Sequence, residues 1–140
     1  MLFLLFLGSF YPLFIASAYK PIAQDVLEDS VLTVAGAIGG ICNGFSRLFW
    51  AILIDKYGFK PVYGSLQILQ LAVAASIYQM RSNPILYPIW VGLSYFCEGG
   101  HFPLFATLGV QIFGLKNGGS IIAIILIAVP FSSTLSWYFV

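Results

Sequence analysis

Charge is what this sequence has least of. Only 8% of its 140 residues are Asp, Glu, Lys or Arg, and the formal net charge is +1; an ordinary soluble domain carries roughly 25% charged residues. So few charges cannot cover the surface of a soluble globule of this length, which excludes a cytosolic enzyme and a disordered chain. The near-neutral balance leaves no basic footprint for nucleic acid. Cysteine is nearly missing as well. Cys42 and Cys97 are too few for a disulfide framework, and both stand in apolar runs like small core residues. Histidine occurs once, and Asp25, Glu28, Asp29 and Asp55 fall in loops or at helix ends. No metal cluster, cofactor site or nucleophile–base set follows from such a scatter, and the chain does not read as an enzyme.

What is present is grease. Apolar residues make up 60% of the chain and aromatic residues 17%. The fold class is therefore all-α, a polytopic transmembrane helix bundle whose first partner is the lipid bilayer. A helix needs about 20 apolar residues to cross the hydrocarbon layer, and the runs between charges and turn signals predict five spans, over residues 2–18, 31–54, 61–80, 84–113 and 119–139. Pro61 suits a first helical position, where its missing N–H has no partner to lose. Asn83 reads as a cap with Pro84 behind it, and residues 114–119 (Gly-Leu-Lys-Asn-Gly-Gly) read as a chain break. The short connections leave no room for a second domain, so residues 1–140 read as a single transmembrane domain.

The small-residue motif Ala16-Ser17-Ala18 would suit a signal-peptide cleavage site, but no Lys or Arg precedes the first run, and four more spans follow it. Lys56, Lys60 and Lys116 against Lys20 and Arg81 favour a cytoplasmic Asp55–Lys60 loop. Which membrane holds the protein is not indicated.

The second span carries the informative residues. Gly36, Gly40 and Gly44 recur every four positions on one helical face, with Gly39, Asn43 and Arg47 in the adjoining row. Small residues in such a row let neighbouring helices approach closely, and packing is the plain reading of the glycines. Arg47 differs: it lies about 12 Å inside the Asp55 end at 1.5 Å per residue. A charge at that depth costs roughly 2.5–3.5 kcal/mol on insertion scales. Such a guanidinium either meets a carboxylate beside the Asn43 amide, as an anion receptor, or snorkels to the headgroups.

Residues 51–60, Ala-Ile-Leu-Ile-Asp-Lys-Tyr-Gly-Phe-Lys, resemble the Gly-x-x-x-Asp-(Arg/Lys)-x-Gly-(Arg/Lys)-(Arg/Lys) loop of major facilitator superfamily transporters. Asp55, Lys56, Gly58 and Lys60 match; Ala51 and Phe59 depart from the pattern. Residues 43–50 (Asn-Gly-Phe-Ser-Arg-Leu-Phe-Trp) and 95–102 (Tyr-Phe-Cys-Glu-Gly-Gly-His-Phe) are similar to the C-terminal half of the oxalate/formate antiporter-like and monocarboxylate-porter branch. The resemblance implies a partial major facilitator fold, an incomplete six-helix half covering the seventh to eleventh helices. It implies that Asp55, Lys56, Gly58 and Lys60 form a cytoplasmic gate latch and that Arg47 binds the carboxylate substrate. Oxalate carriers of the branch also use a lysine in the eleventh helix. Residues 120–140 contain no Lys, which points to a monocarboxylate or another small organic anion.

Glu98 and His101, at i and i+3, share one face of the fourth span. Ionisable groups within a membrane are functional hypotheses by default. They read either as proton-coupling residues or as a structural pair bonded to each other or to a carbonyl freed by Pro103. A Glu-x-x-His pair also occurs in di-iron bundles, but the other carboxylates such a site needs are missing. Gly99, Gly100, Pro103 and Pro130 permit bends.

The expectation is thus a secondary active transporter, or a fragment of one, moving a small organic anion by alternating access, with Arg47 and Asn43 as substrate ligands and protons as a further partner. With five spans it would require a missing transporter half or self-association to work. The rival from another class is a small membrane subunit that packs against partner helices and transports nothing. The two separate on whether Arg47, Asn43, Glu98 and His101 converge on one concave face.

Overall fold

Lipid offers a backbone no water to bond with, so a spanning segment satisfies its N–H and C=O groups internally by coiling into a helix. The computed structural model describes residues 1–138, with the backbone alone at Leu115. Five helices follow one another among these residues: α1 Leu2–Ala23, α2 Asp29–Tyr57, α3 Phe59–Met80, α4 Leu86–Leu126 and α5 Ala128–Tyr138. The described residues contain no strand. Phe139, the expected end of the last span, lies outside them.

The helices overrun several of the apolar runs. α1 continues through Lys20 and Pro21 to Ala23, and α2 starts at Asp29, an acidic residue at the end where the helix dipole favours one. α2 then persists to Tyr57, and the expected Asp55–Lys60 loop shrinks to Gly58. Gly58 has φ 79° and ψ 170°, a conformation essentially closed to residues with a Cβ. Gly114 repeats this turn with φ 74° and ψ 167°. The loop expected over residues 114–119 is likewise a one-residue break, after which helix resumes.

Gly99, Gly100 and Pro103 leave α4 uninterrupted; its non-helical backbone is at Gly114. Pro130 does leave a mark. It cannot donate to the Leu126 carbonyl, and between α4 and α5 the Ile127 N–H turns inward to the Ile124 carbonyl at 3.2 Å. Asn83 caps as its position suggests: Oδ1 accepts the N–H groups of Ile85 at 2.9 Å and Leu86 at 3.1 Å.

Contact levels set the directions. Gly39 meets Tyr95, Asn43 meets Glu98, and Gly100 lies beside Trp50, so α2 and α4 run parallel. Tyr87 Oη donates to the Tyr19 carbonyl at 2.6 Å, while Gly8 lies against His101, so α1 opposes α4. Ser132 and Ser136 of α5 donate to the carbonyls of Phe6 and Phe10 on the parallel α1. Gln70 and Tyr63 of α3 donate to the carbonyls of Gly8 and Leu4. The result is an up-and-down bundle in which α1, α3 and α5 run one way and α2 and α4 as far as Phe113 run the other; at Gly114 the chain turns back, so that Gly109 meets Ile122 and Val110 meets Gly118.

α2 packs most extensively on α4. The contact is tight because Gly99 has no side chain. A Cβ there would strike Ser46 Oγ and come within 2.5 Å of the Asn43 carbonyl. Gly36 and Gly39 serve likewise beneath Tyr19 and Tyr95. Gly40 and Gly44 face open space, so the four-residue glycine row is not one continuous interface.

The outward surface is apolar, with Ile41 73%, Ile68 72% and Trp137 74% exposed, which fits lipid and not water. Three segments are long and apolar enough to cross a membrane: Leu2–Ala23, Asp29–Tyr57 and Lys116–Tyr138. α3 and the first part of α4 are not among these three, and they carry Gln67, Gln70, Glu98 and His101. Gln70 and His101 are turned inside the bundle, 7% and 1% exposed.

Candidate functional site

The α2–α4 contact brings three of the expected residues together. Gly99 lets the helices close, and at that level Asn43 Nδ2 donates to Glu98 Oε2 at 3.2 Å. One turn further along both helices, the Arg47 guanidinium lies 5.0 Å from the centroid of the Phe102 ring. Asn43 sits level with Glu98, and Arg47 level with Phe102. The arginine side chain thus rests against its neighbour on α4.

Arg47 is exposed on this face, and neither of the ion pairs found among the described residues includes it. Its guanidinium has N–H groups left to offer a planar anion. The Phe102 face holds the cation by its ring quadrupole, which orients the fork without consuming it. Glu98 lies within electrostatic reach of the Arg47 charge. Asn43, Arg47 and Glu98 thus form one polar patch on an otherwise apolar wall.

His101 stands apart from that patch. It is not bonded to Glu98, and the i, i+3 spacing does not make a hydrogen-bonded pair. Its Nε2 meets Gln70 Oε1 at 3.0 Å, and Gln70 Nε2 donates to the Gly8 carbonyl at 2.8 Å. Glu98 and His101 do line one narrow hollow, shared with Ser9, Phe102 and Val129. Gly8 is required here: a Cβ would come within 2.8 Å of His101 Cε1 and 2.6 Å of Tyr63 Oη. Gln70 and Phe102 were not legible from ionisable residues alone. An amide inside an apolar helix was the available sign of Gln70, and Phe102 had none beyond its spacing from Glu98.

The expected latch residues sit at the α2–α3 junction. Asp55 and Lys56 occupy the last turn of α2 and Lys60 the first turn of α3, all exposed around Gly58. No side chain caps α3. The Lys56 ammonium lies 5.2 Å from the Tyr57 ring centroid. At the opposite end, Lys20 pairs with Asp29 at 2.9 Å, and Arg81 reaches Asp25 at 3.8 Å and the Ile22 carbonyl at 3.4 Å. Among the described residues no group of His, Cys, Asp and Glu could hold a metal ion.

Known proteins similar to this chain are transporters. Apicoplast pyruvate carrier 1 of Toxoplasma gondii is 30% identical over 118 residues, 79% of this chain and 22% of that protein. Apicoplast pyruvate carrier 2 of the same organism is 30% identical over 97 residues, 68% of this chain and 15% of the carrier. A probable inorganic phosphate transporter 1-7 of Arabidopsis thaliana is 34% identical over 101 residues, 64% of this chain and 18% of the transporter. The chain thus spans about a fifth of the length of these relatives. No protein-family model and no solved structure matches it. With its spanning helices, these similarities make the chain an integral membrane protein related in sequence to membrane transporters.

Proposed function

We propose that this chain is a piece of a secondary active transporter of the major facilitator type that moves a small organic anion by alternating access. The observation that carries the reading is Arg47. It is a permanent cation about 12 Å inside its span, held over Phe102 beside Asn43 and Glu98. Charge at that depth is retained where it meets a cavity or a partner. Two of the relatives are named as pyruvate carriers and one as a phosphate transporter, all with small anionic cargo. A monocarboxylate matches the fork of one guanidinium, with the Asn43 amide as a further donor.

In this reading Glu98 is the internal stand-in for the substrate. As a carboxylate it competes for the field of Arg47; once protonated it leaves that charge to the anion. Glu98, with His101 across the shared hollow, is the proton-coupling element. Asp55, Lys56, Gly58 and Lys60 form the latch between α2 and α3, and their partner is the missing half or a second copy.

The test is binding. The full chain, reconstituted in liposomes, is titrated with labelled pyruvate and labelled phosphate, and wild type is compared with Arg47→Ala. Saturable binding that falls at least tenfold in the variant (about 1.4 kcal/mol) supports the reading. Equal binding by both proteins overturns the receptor role of Arg47. A second reading, a small subunit that only packs, is favoured by Gly40 and Gly44, whose open surface suits a close helix partner. It requires that neither protein bind the anion and that Gly44→Leu abolish an association.

A further inference from the structure

The Nδ1 atom of His101 is a buried polar atom with no hydrogen-bond partner among the described residues. Such atoms are rare because an unmet group costs about 1–3 kcal/mol. The other ring nitrogen explains how this one is set. The Gly8 carbonyl can only accept, so the Gln70 amide must turn its NH2 toward it, at 2.8 Å. That leaves Gln70 Oε1 facing His101 Nε2 at 3.0 Å. A carbonyl oxygen only accepts, so Nε2 carries the hydrogen and Nδ1 is left with a bare lone pair.

The ring lines the hollow between α1, α4 and α5, which is too tight for a water molecule. Of the other groups lining it, Ser9 Oγ already gives its hydrogen to the Leu5 carbonyl at 2.5 Å. Val129 of α5 and Phe102 of α4 carry nothing to give. Glu98, half-buried on the same helix face, is the remaining group able to supply a proton. From α3 the ring faces Gln70 and Tyr63, and the Tyr63 hydroxyl is engaged with the Leu4 carbonyl and Gln67. From α2 the charged group near Glu98 is Arg47.

We propose that Gln70 is a positioning residue that fixes His101 as the Nε2–H tautomer, so that the hollow binds one proton between Glu98 and His101 Nδ1. In the loaded site the Glu98 acid O–H points at Nδ1. When the proton moves, the O–H bond breaks and an Nδ1–H bond forms, leaving a carboxylate facing Arg47 and an imidazolium whose second N–H remains on Gln70 Oε1. The proton is thereby stored one helix face away from the anion ligands. Its assignment to transport rests on the reading of Glu98 above; the tautomer does not.

His101 is the only histidine in the chain, so 15N-histidine labelling of the full protein in lipid gives a spectrum from one ring. The expected wild-type spectrum near neutral pH shows one protonated nitrogen, Nε2, and one bare nitrogen, Nδ1. Gln70→Met removes both hydrogen bonds at similar volume and is expected to lose that pure pattern, with Nδ1–H signal appearing. Gln70→Glu keeps an acceptor for Nε2–H and is expected to restore it. An Nδ1–H wild type, or a Gln70→Met spectrum identical to wild type, overturns the proposal. If Gln70→Met does not fold, the wild-type tautomer alone decides. Anion binding does not enter this readout, so a failed pyruvate titration with the expected spectrum sinks the transport reading and leaves the tautomer device standing.

Discussion

Asn43 and Glu98 stand 55 positions apart in the chain and are joined across the α2–α4 contact by a hydrogen bond of 3.2 Å. In the proposed function the bond links the amide that would help hold an anion to the carboxyl group that would compete with it. Between helices in a membrane such bonds contribute modestly, on average about 0.6 kcal/mol, because the separated helices find other partners. A double-mutant cycle of Asn43→Ala and Glu98→Ala, followed by thermal unfolding in detergent, should therefore give a coupling of about 0.5–1 kcal/mol. A coupling of zero would mean that the two side chains do not meet in the folded protein.

The glycines of α2 and α4 should divide by position and not by their spacing. Gly99→Val places methyl groups where Ser46 and the Asn43 carbonyl already lie. It is expected to destabilise by about 1–3 kcal/mol, the range for overpacking. Gly40→Ala and Gly44→Ala meet open space and should shift stability by less than about 0.5 kcal/mol. Unfolding midpoints of the three variants check this, and equal losses at all three would show that the face of Gly40 and Gly44 is covered as well.

The bundle was legible in the sequence because its signals are strong ones. Long apolar runs, Asn83 before Pro84 and the scarcity of charge each have a single physical meaning. Helix ends were less legible, since a polar residue such as Lys20 or Asp55 marks the edge of an apolar run but does not stop a helix. Gly114 looked like the start of a loop because Gly118 and Gly119 follow it, yet one glycine at positive φ suffices to reverse the chain. The site was half legible. Arg47 and Glu98 announce themselves by charge, but their neighbours are set by the relative height of α2 and α4, which no local spacing encodes. His101 pairs with Gln70, 31 positions away, and not with the glutamate three residues before it, because its ring turns toward α1 and α3.

Gly58 and Gly114 hold nearly the same backbone conformation, with φ 79° and 74°. Each follows an aromatic residue and precedes an apolar one and a lysine. With ψ near 170° at both, a Cβ is strained however much room surrounds it, at a cost of order 1–3 kcal/mol. Gly58→Ala and Gly114→Ala should each destabilise by that amount, although neither glycine has a neighbour within 4 Å of its Cβ position. Unfolding midpoints unchanged from wild type would show that these junctions adopt another backbone path in the membrane.

Arg47 and Phe102 allow the proposed anion site to be separated from simple charge. Lysine at position 47 keeps a cation at the same depth but replaces the planar fork by a point charge, which cannot hold a carboxylate by two parallel hydrogen bonds. If the guanidinium binds the anion bidentately, Arg47→Lys should weaken pyruvate binding by at least tenfold, about 1.4 kcal/mol. If only the field matters, binding should change little. Phe102→Leu keeps the fork and removes the ring that lies 5.0 Å from the guanidinium, a contact worth about 0.5–1 kcal/mol at an exposed site. The expected loss is therefore roughly two- to fivefold, smaller than that of Arg47→Lys and without any change in the His101 tautomer. Measured dissociation constants for the two variants in the same liposomes decide between fork and field, and a larger loss for Phe102→Leu than for Arg47→Lys would place the anion on the wrong side of the ring.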